Sequence, residues 1–134
     1  MERPGRRAGG AGAVAVAMAA ASTSVFPVFL TGALAVQLRH DLRFGPSGLG
    51  LAVGCFFGAS ALTSTGFGRL AEAVGSTRVM RGAAVVSAAA MAVIALVVAS
   101  LDQLLGVLVV AGVANGATQP AVNAFLARRT TDHM

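Results

Sequence analysis

The chain has 134 residues, of which 56% are hydrophobic and only 11% are charged. A soluble domain carries about 25% charged residues, so this composition cannot cover a water-facing surface and predicts an integral membrane protein. The formal net charge of +5 does not indicate nucleic-acid binding, because the arginines lie between or beside apolar stretches rather than on one basic face. The lone cysteine, Cys55, excludes an internal disulfide.

Four windows without charged residues follow one another along the chain, and each is long enough for a helix that crosses a bilayer. The first is too long for a signal peptide and is interpreted as a retained helix. These windows predict an all-α polytopic membrane protein with four transmembrane helices. The predicted order is an N-terminal tail over 1–10, helix one over 11–38, an outer loop over 39–46, helix two over 47–67, a cytoplasmic motif loop over 68–78, helix three over 79–100, an outer turn over 101–103, helix four over 104–126 and a C-terminal tail over 127–134.

The arginines predict the orientation, since cytoplasmic loops carry an excess of basic residues. With a cytoplasmic N-terminus, eight arginines lie inside: Arg3, Arg6, Arg7, Arg69, Arg78, Arg81, Arg128 and Arg129. Only Arg39 and Arg43 then lie outside. We therefore predict an N-in/C-in protein of the cell (inner) membrane. The use of Arg without Lys, together with abundant Ala, Gly and Val, suggests a GC-rich bacterial genome.

Glycines at a spacing of four mark one side of helix two: Gly50, Gly54 and Gly58. Small residues let membrane helices approach closely, so this stripe predicts tight packing against another helix. Gly112 and Gly116 show the same spacing of four once in helix four.

Five polar residues at membrane depth are candidates for a substrate pathway: Thr23, Thr31, Asn115, Gln119 and Asn123. Both of their helices contain a proline, and polar, interrupted helices are typical of transport paths. The alternative is that these side chains only join helices by hydrogen bonds. In helix one, Ser and Thr can also bond to their own helix backbone. Helix three has one polar side chain well inside it, Ser87, and is interpreted as lipid-facing.

Enzymatic chemistry is not expected from this sequence. No acid, base or histidine lies deep inside a window, which argues against a proton relay within this segment. The sequence has no metal-ligand cluster, no nucleophile–base pair and no phosphate loop, so neither a cofactor nor a metal is predicted.

The segment 66–81 joins helices two and three and reads Gly-Phe-Gly-Arg-Leu-Ala-Glu-Ala-Val-Gly-Ser-Thr-Arg-Val-Met-Arg. It resembles the motif between the second and third helices of the major facilitator superfamily, commonly written Gly-x-Leu-Ala-Asp-Arg-x-Gly-Arg-Lys/Arg. Four motif positions match the family: Gly68, Leu70, Ala71 and Gly75. Glu72 replaces the acidic residue conservatively. The family's three basic positions are not kept, and Arg78 stands one residue late.

The resemblance implies the first four helices of a twelve-helix transporter whose two halves rock around a central site. It implies that helices one and four line the cavity, that helix two gates and that helix three lies outside. It also implies that Glu72 meets a helix start in the opposite half and helps to lock the outward-open state. The alternative is a solvated loop acid that pairs weakly with Arg69 or Arg78.

The sequence thus predicts transmembrane transport of a small solute by alternating access, as part of a secondary transporter. The chain is interpreted as a truncated N-terminal fragment, inactive alone. Its expected partners are the lipid bilayer, a small-molecule substrate of unknown identity and the missing C-terminal helices or another membrane subunit, with no nucleic acid. The alternative is a complete four-helix protein that acts as an oligomeric small exporter or as a non-transporting scaffold. Small multidrug exporters depend on an acid inside the first helix, which this chain lacks.

Overall fold

The computed structural model describes residues 5–131, with side chains for residue 12 and residues 14–128. Over that range the chain forms five α-helices: α1 (Gly5–Ala33), α2 (Ala35–Asp41), α3 (Pro46–Val74), α4 (Ser76–Leu96) and α5 (Leu101–Thr131). This confirms the all-α prediction for the described residues. Of the arginines behind the predicted orientation, Arg3 lies outside the described residues, as do the side chains of Arg6, Arg7 and Arg129.

Four of these helices are long and apolar enough to cross a membrane, which confirms the predicted number of transmembrane helices. The candidate spans are Val14–Ala33, Pro46–Val74, Ser76–Leu96 and Leu101–Arg128. The shortest has 20 residues, which at 1.5 Å per residue matches a hydrocarbon core of about 30 Å. The chain is therefore a multi-pass membrane protein in contact with the lipid bilayer.

The helices extend beyond the edges that the charges had suggested. Predicted helix one, 11–38, is divided at Leu34 into α1 and α2, so the outer loop shrinks to 42–45. α3 begins at Pro46, whose fixed φ suits the first position of a helix. The predicted motif loop, 68–78, is helical except at Gly75, and the outer turn lies at 97–100 rather than 101–103. Charged residues mark where a helix leaves the hydrocarbon, but they do not end it.

Gly75 alone separates α3 from α4. Its φ of 97° lies in a region that residues with a Cβ rarely adopt, so glycine is needed here. The Gly75 N–H donates to the carbonyl oxygen of Ala71, which closes the end of α3. The polar segment that joins the two spans is thus helical except for this one-residue corner.

α5 is the central helix of the bundle. It packs against α1, α3 and α4, and its most extensive contact is with α3. Its membrane span is 56% buried within the chain, against 17–28% for the other three spans. α4 has one buried face, which includes Val79, Met80 and Ala83, while its apolar residues Val85 and Leu96 are exposed.

Two hydrophobic clusters fill the interior, one on either side of the middle of α5. One contains Phe56, Leu104 and Leu108 with smaller residues of α1, α3 and α4. The other contains Val79, Met80 and Val122 with alanines from all four long helices. Alanines dominate the second cluster, so the helices approach closely there.

Candidate functional site

Three polar side chains meet near the middle of the bundle, and we call them the Asn115 cluster: Ser24, Ser60 and Asn115. The Ser24 hydroxyl donates to Asn115 Oδ1 at 2.8 Å, and Asn115 Nδ2 donates to Ser60 Oγ at 2.8 Å. All three residues are buried, with exposed fractions of 1%, 9% and 4%. One amide therefore ties α1 and α3 to α5.

The cluster forms because α5 lies directly on the backbone of α3. A Cβ placed on Gly112 would lie 3.0 Å from the carbonyl carbon of Phe56, and one on Gly116 would lie 2.5 Å from the carbonyl oxygen of Ser60. Only glycine allows this approach. Asn115 precedes Gly116, so its short side chain reaches the Ser60 hydroxyl.

The predicted glycine stripe on α3 has a different environment. A Cβ on Gly50, Gly54 or Gly58 would meet no atom within 4 Å, and all three glycines are exposed. Within the described chain they pack against no other helix, and the close contact is made by Gly112 and Gly116 instead. Phe56 and Ser60 lie on the side of α3 that faces α5, whereas the three glycines lie on an exposed side. Packing of the stripe against a helix outside the described chain stays a prediction.

The two predicted pathway threonines bond to their own helix. Thr23 Oγ1 donates to the carbonyl oxygen of Ala19, and Thr31 Oγ1 donates to that of Pro27, each at 2.8 Å. Thr31 lines a cavity of about 430 Å³ between α1, α2 and α4, with Gln37 and Asp41 among its polar lining residues. Thr23 lines a separate cavity of about 500 Å³. The structure does not bring the two threonines into one cavity.

The three predicted pathway residues of α5 lie in different environments. Asn115 is buried in the cluster, whereas Gln119 and Asn123 are exposed on the surface of the described chain. Neither of the two exposed amides has a hydrogen bond to a described residue. They are therefore available to a group that the described chain does not contain.

The motif residues lie at the end of α3 and the start of α4. Ala71 is buried, while Leu70 and Glu72 are exposed. Gly68 lies near Pro120 of α5, since a Cβ on it would be 3.6 Å from the proline Cβ. Glu72 forms no ion pair with any described residue, so the alternative pairing with Arg69 or Arg78 is not observed.

Arg78 closes the end of α3. Its guanidinium donates to the carbonyl oxygen of Val74 at 3.0 Å. The last carbonyls of a helix lack partners within the helix, and a cation there is favoured by the helix dipole. Arg78 therefore strengthens the corner at Gly75 from the α4 side.

Sequence reasoning missed Ser24 and Ser60 as members of a site. Each lies near the middle of an apolar window, where a polar side chain needs a partner, and that signal was available. Their partner could not be identified, because the sequence does not reveal which helix faces which. Among the described residues there is no group of His, Cys, Asp or Glu that could hold a metal ion.

Comparisons with known proteins gave one match. The family model described as Major Facilitator Superfamily matches residues 9–133. Neither the curated proteins nor the solved structures gave a match. The family match spans all four membrane helices, including the segment 66–81 that resembles the family's motif. The chain thus belongs to the Major Facilitator Superfamily, whose members are membrane transporters and not enzymes.

Proposed function

We propose that this chain supplies four helices of a secondary transporter that moves a small solute by alternating access. The observation that carries the proposal, beside the family match, is the exposure of Gln119 and Asn123 on α5. Both lie inside the membrane span Leu101–Arg128. An amide facing lipid would leave its hydrogen-bonding groups unsatisfied, so these residues are expected to face a water-filled path or polar groups of further helices.

The different environments of the three α5 amides support separate roles for them. Asn115 is occupied by Ser24 and Ser60, so in this conformation its amide holds the bundle together. Gln119 and Asn123 are free to contact a solute. We therefore assign the pathway in this conformation to Gln119 and Asn123. We propose that Asn115, and Thr23 and Thr31 from their separate cavities, take part only when the bundle rearranges.

We propose that this unit works with further membrane helices rather than alone. The exposed glycine stripe of α3 and the exposed amides of α5 are surfaces that suit helix partners rather than lipid tails. The alternative, an oligomer of four-helix chains acting as a small exporter or scaffold, would cover the same surfaces with a second copy. The downstream reading frame distinguishes the two: further helices in frame support the first, and their absence together with a stable oligomer supports the second.

Cysteine labelling tests the pathway directly. Cys55 is the only cysteine, so Cys55→Ala provides a cysteine-free background. Gln119→Cys and Asn123→Cys should react with a water-soluble maleimide, and an excess of a transported solute should slow the reaction.

Val110→Cys is the matched control. Val110 is 52% exposed on the same helix, and it lies as far from the middle of the span as Gln119, about 7 Å. It should stay unlabelled because lipid surrounds it. Equal labelling at 110 and 119 would mean that depth, and not a water-filled path, determines access.

The motif suggests a gating role for the corner between α3 and α4. We propose that Glu72, exposed and without an ion-pair partner in the described chain, contacts a helix N-terminus in the other half of the transporter. The Gly75 corner, where α3 and α4 meet, would transmit that contact to both spans. The orientation that this role requires, with both termini cytoplasmic, rests on the arginine count.

A further inference from the structure

A polar cavity of about 380 Å³ lies at the corner between α3 and α4. Its lining includes the corner residue Gly75, Ser76 and Thr77 of α4, and the side chains of Arg78 and Arg128. None of the described residues that line it is acidic. Two guanidinium groups and the positive end of a 21-residue helix therefore face one space.

The cavity also holds hydrogen-bond donors without partners. Ser76 is only 6% exposed, it lines the cavity, and its hydroxyl has no hydrogen bond to any described residue. The N–H groups of Ser76 and Thr77 likewise have no partner in the described part of the chain, since the first bonds of α4 are donated by Arg78 and Val79 to Gly75. Among the described residues Ser87 Oγ is the only buried side-chain oxygen without a partner, so the Ser76 hydroxyl is open to the cavity and can donate to a ligand there. These donors suit an anion with several oxygen atoms, such as a phosphate group.

An apolar groove of about 300 Å³ adjoins this cavity. It lies between α3, α4 and α5, and it shares Val74 and Arg78 with the polar cavity. Apart from Arg78 its lining is apolar, and Phe67, Gly82 and Val113 are among the lining residues. A ligand that fills both spaces needs a phosphate at one end and a hydrocarbon chain at the other.

We propose that the polar cavity and the groove together bind one anionic phospholipid. The phosphate would accept hydrogen bonds from the Ser76 hydroxyl and the first N–H groups of α4, with Arg128 and the free donors of Arg78 alongside. Arg78 uses one donor on the Val74 carbonyl and keeps four others. One acyl chain would lie in the groove. This lipid would brace the Gly75 corner, because it contacts both helices that meet there.

Lipid binding to the full chain tests this proposal. The purified, delipidated protein is titrated with phosphatidylglycerol and with phosphatidylcholine of identical acyl chains, and bound lipid is counted by native mass spectrometry. Phosphatidylglycerol should bind about 25-fold more tightly than phosphatidylcholine, since two arginines near the surface each contribute about fivefold. Equal affinities would overturn the proposal.

Variants separate the headgroup from the acyl chain. Arg128→Gln should weaken phosphatidylglycerol binding about fivefold and reduce its preference over phosphatidylcholine. Ser76→Ala should weaken it by a similar or smaller factor, and it offers a second variant if Arg128→Gln proves unstable. Arg39→Gln, an exposed arginine outside both cavities, is the control and should have no effect. An equal loss in Arg39→Gln and Arg128→Gln would show unspecific charge attraction only.

A matched pair of glycine variants tests whether the groove binds the acyl chain. Gly82 lines the groove, and a Cβ there meets no atom within 4 Å, so Gly82→Leu should fill it and weaken both lipids alike. Gly106→Leu, an equally open glycine outside the groove, should not. If inorganic phosphate displaces phosphatidylglycerol equally from wild type and Gly82→Leu, the site takes free phosphate and the proposal fails. It also fails if Gly82→Leu changes the oligomeric state but not lipid binding, because the groove then packs another helix.

Discussion

The side-chain amide of Asn115 donates to the Ser60 hydroxyl at 2.8 Å, across 55 residues of sequence. The bond lies beside the place where Gly116 touches the backbone of α3 at Ser60. The hydrogen bond depends on the glycine contact, because the amide reaches Ser60 only if the helices are this close. The polar contact then favours this register of α3 on α5 over others.

Replacing Asn115 should loosen the bundle by a modest amount. Asn115→Ala removes two interhelical hydrogen bonds, and such bonds contribute about 0.6 kcal/mol on average in membrane proteins. We expect a loss of about 1–2 kcal/mol in the free energy of unfolding, measured in detergent. Asn123→Ala, the same change on the exposed side of α5, should have no measurable effect.

A double-mutant cycle tests whether the Asn115 contact is direct. Ser60→Ala and Asn115→Ala should be non-additive by about 0.5 kcal/mol or more. Full additivity would show that the stability loss comes from somewhere other than this bond.

Gly112 and Gly116 of α5 should tolerate no side chain. Gly116→Leu would overlap with the backbone of Ser60, which cannot rotate away as a side chain can. We expect a loss of about 2–3 kcal/mol or a failure to fold, seen as a lower unfolding temperature and aggregation. Gly54→Leu is the matched control, since its added side chain meets no atom within 4 Å of the Cβ. If the two variants were equally unstable, close approach of α5 to α3 would not be the reason.

Ser87 should be replaceable without loss. Its hydroxyl is fully buried in α4 and is the only buried side-chain polar atom in the described chain without a hydrogen-bond partner. Ser87→Ala removes this unsatisfied group and should leave the free energy of unfolding unchanged or raise it by up to about 1 kcal/mol. Ser24→Ala, which removes a satisfied hydroxyl, should instead lower it. A clear destabilisation by Ser87→Ala would reveal a role for the hydroxyl in another conformation.

Neutralising Glu72 should shift the balance between the inward-open and outward-open states. A carboxylate near a helix N-terminus contributes about 0.3–1 kcal/mol, so Glu72→Gln should change the ratio of the two states about two- to fivefold in the assembled transporter. Cysteine accessibility from the two sides of the membrane measures that ratio. Asp102→Asn removes an acid at the far end of the bundle and serves as the control. An unchanged ratio in Glu72→Gln would count against the gating role.

Labelling from one side of the membrane checks the orientation. His40 and Thr77 are both exposed and lie at opposite ends of the spans. In intact cells, an impermeant maleimide should label His40→Cys but not Thr77→Cys in the cysteine-free background. The reverse pattern would place both termini outside and would contradict the arginine count.

The membrane class and the four spans followed from the sequence, because both depend on the length and hydropathy of local windows. The motif also led to the correct family. The predicted ends of the helices were less accurate. α3 continues through Leu70 and Glu72 to Val74, because polar residues are compatible with a helix outside the hydrocarbon. The pairing of Asn115 with Ser24 and Ser60 could not be predicted, because hydropathy does not reveal which helix faces are in contact.

From the amino-acid sequence it follows that this chain has four membrane-spanning segments and that its segment 66–81 resembles a transporter motif. Both are local properties: apolar length sets a span, and a motif is a run of neighbouring residues. The three-dimensional packing was needed to establish that α5 is central, that Gly112 and Gly116 rather than the α3 stripe make the close contact, and that the Asn115 amide bonds to Ser24 and Ser60. In lipid the hydrophobic effect does not select among helix pairings, so packing and hydrogen bonding in three dimensions choose between faces that hydropathy cannot distinguish.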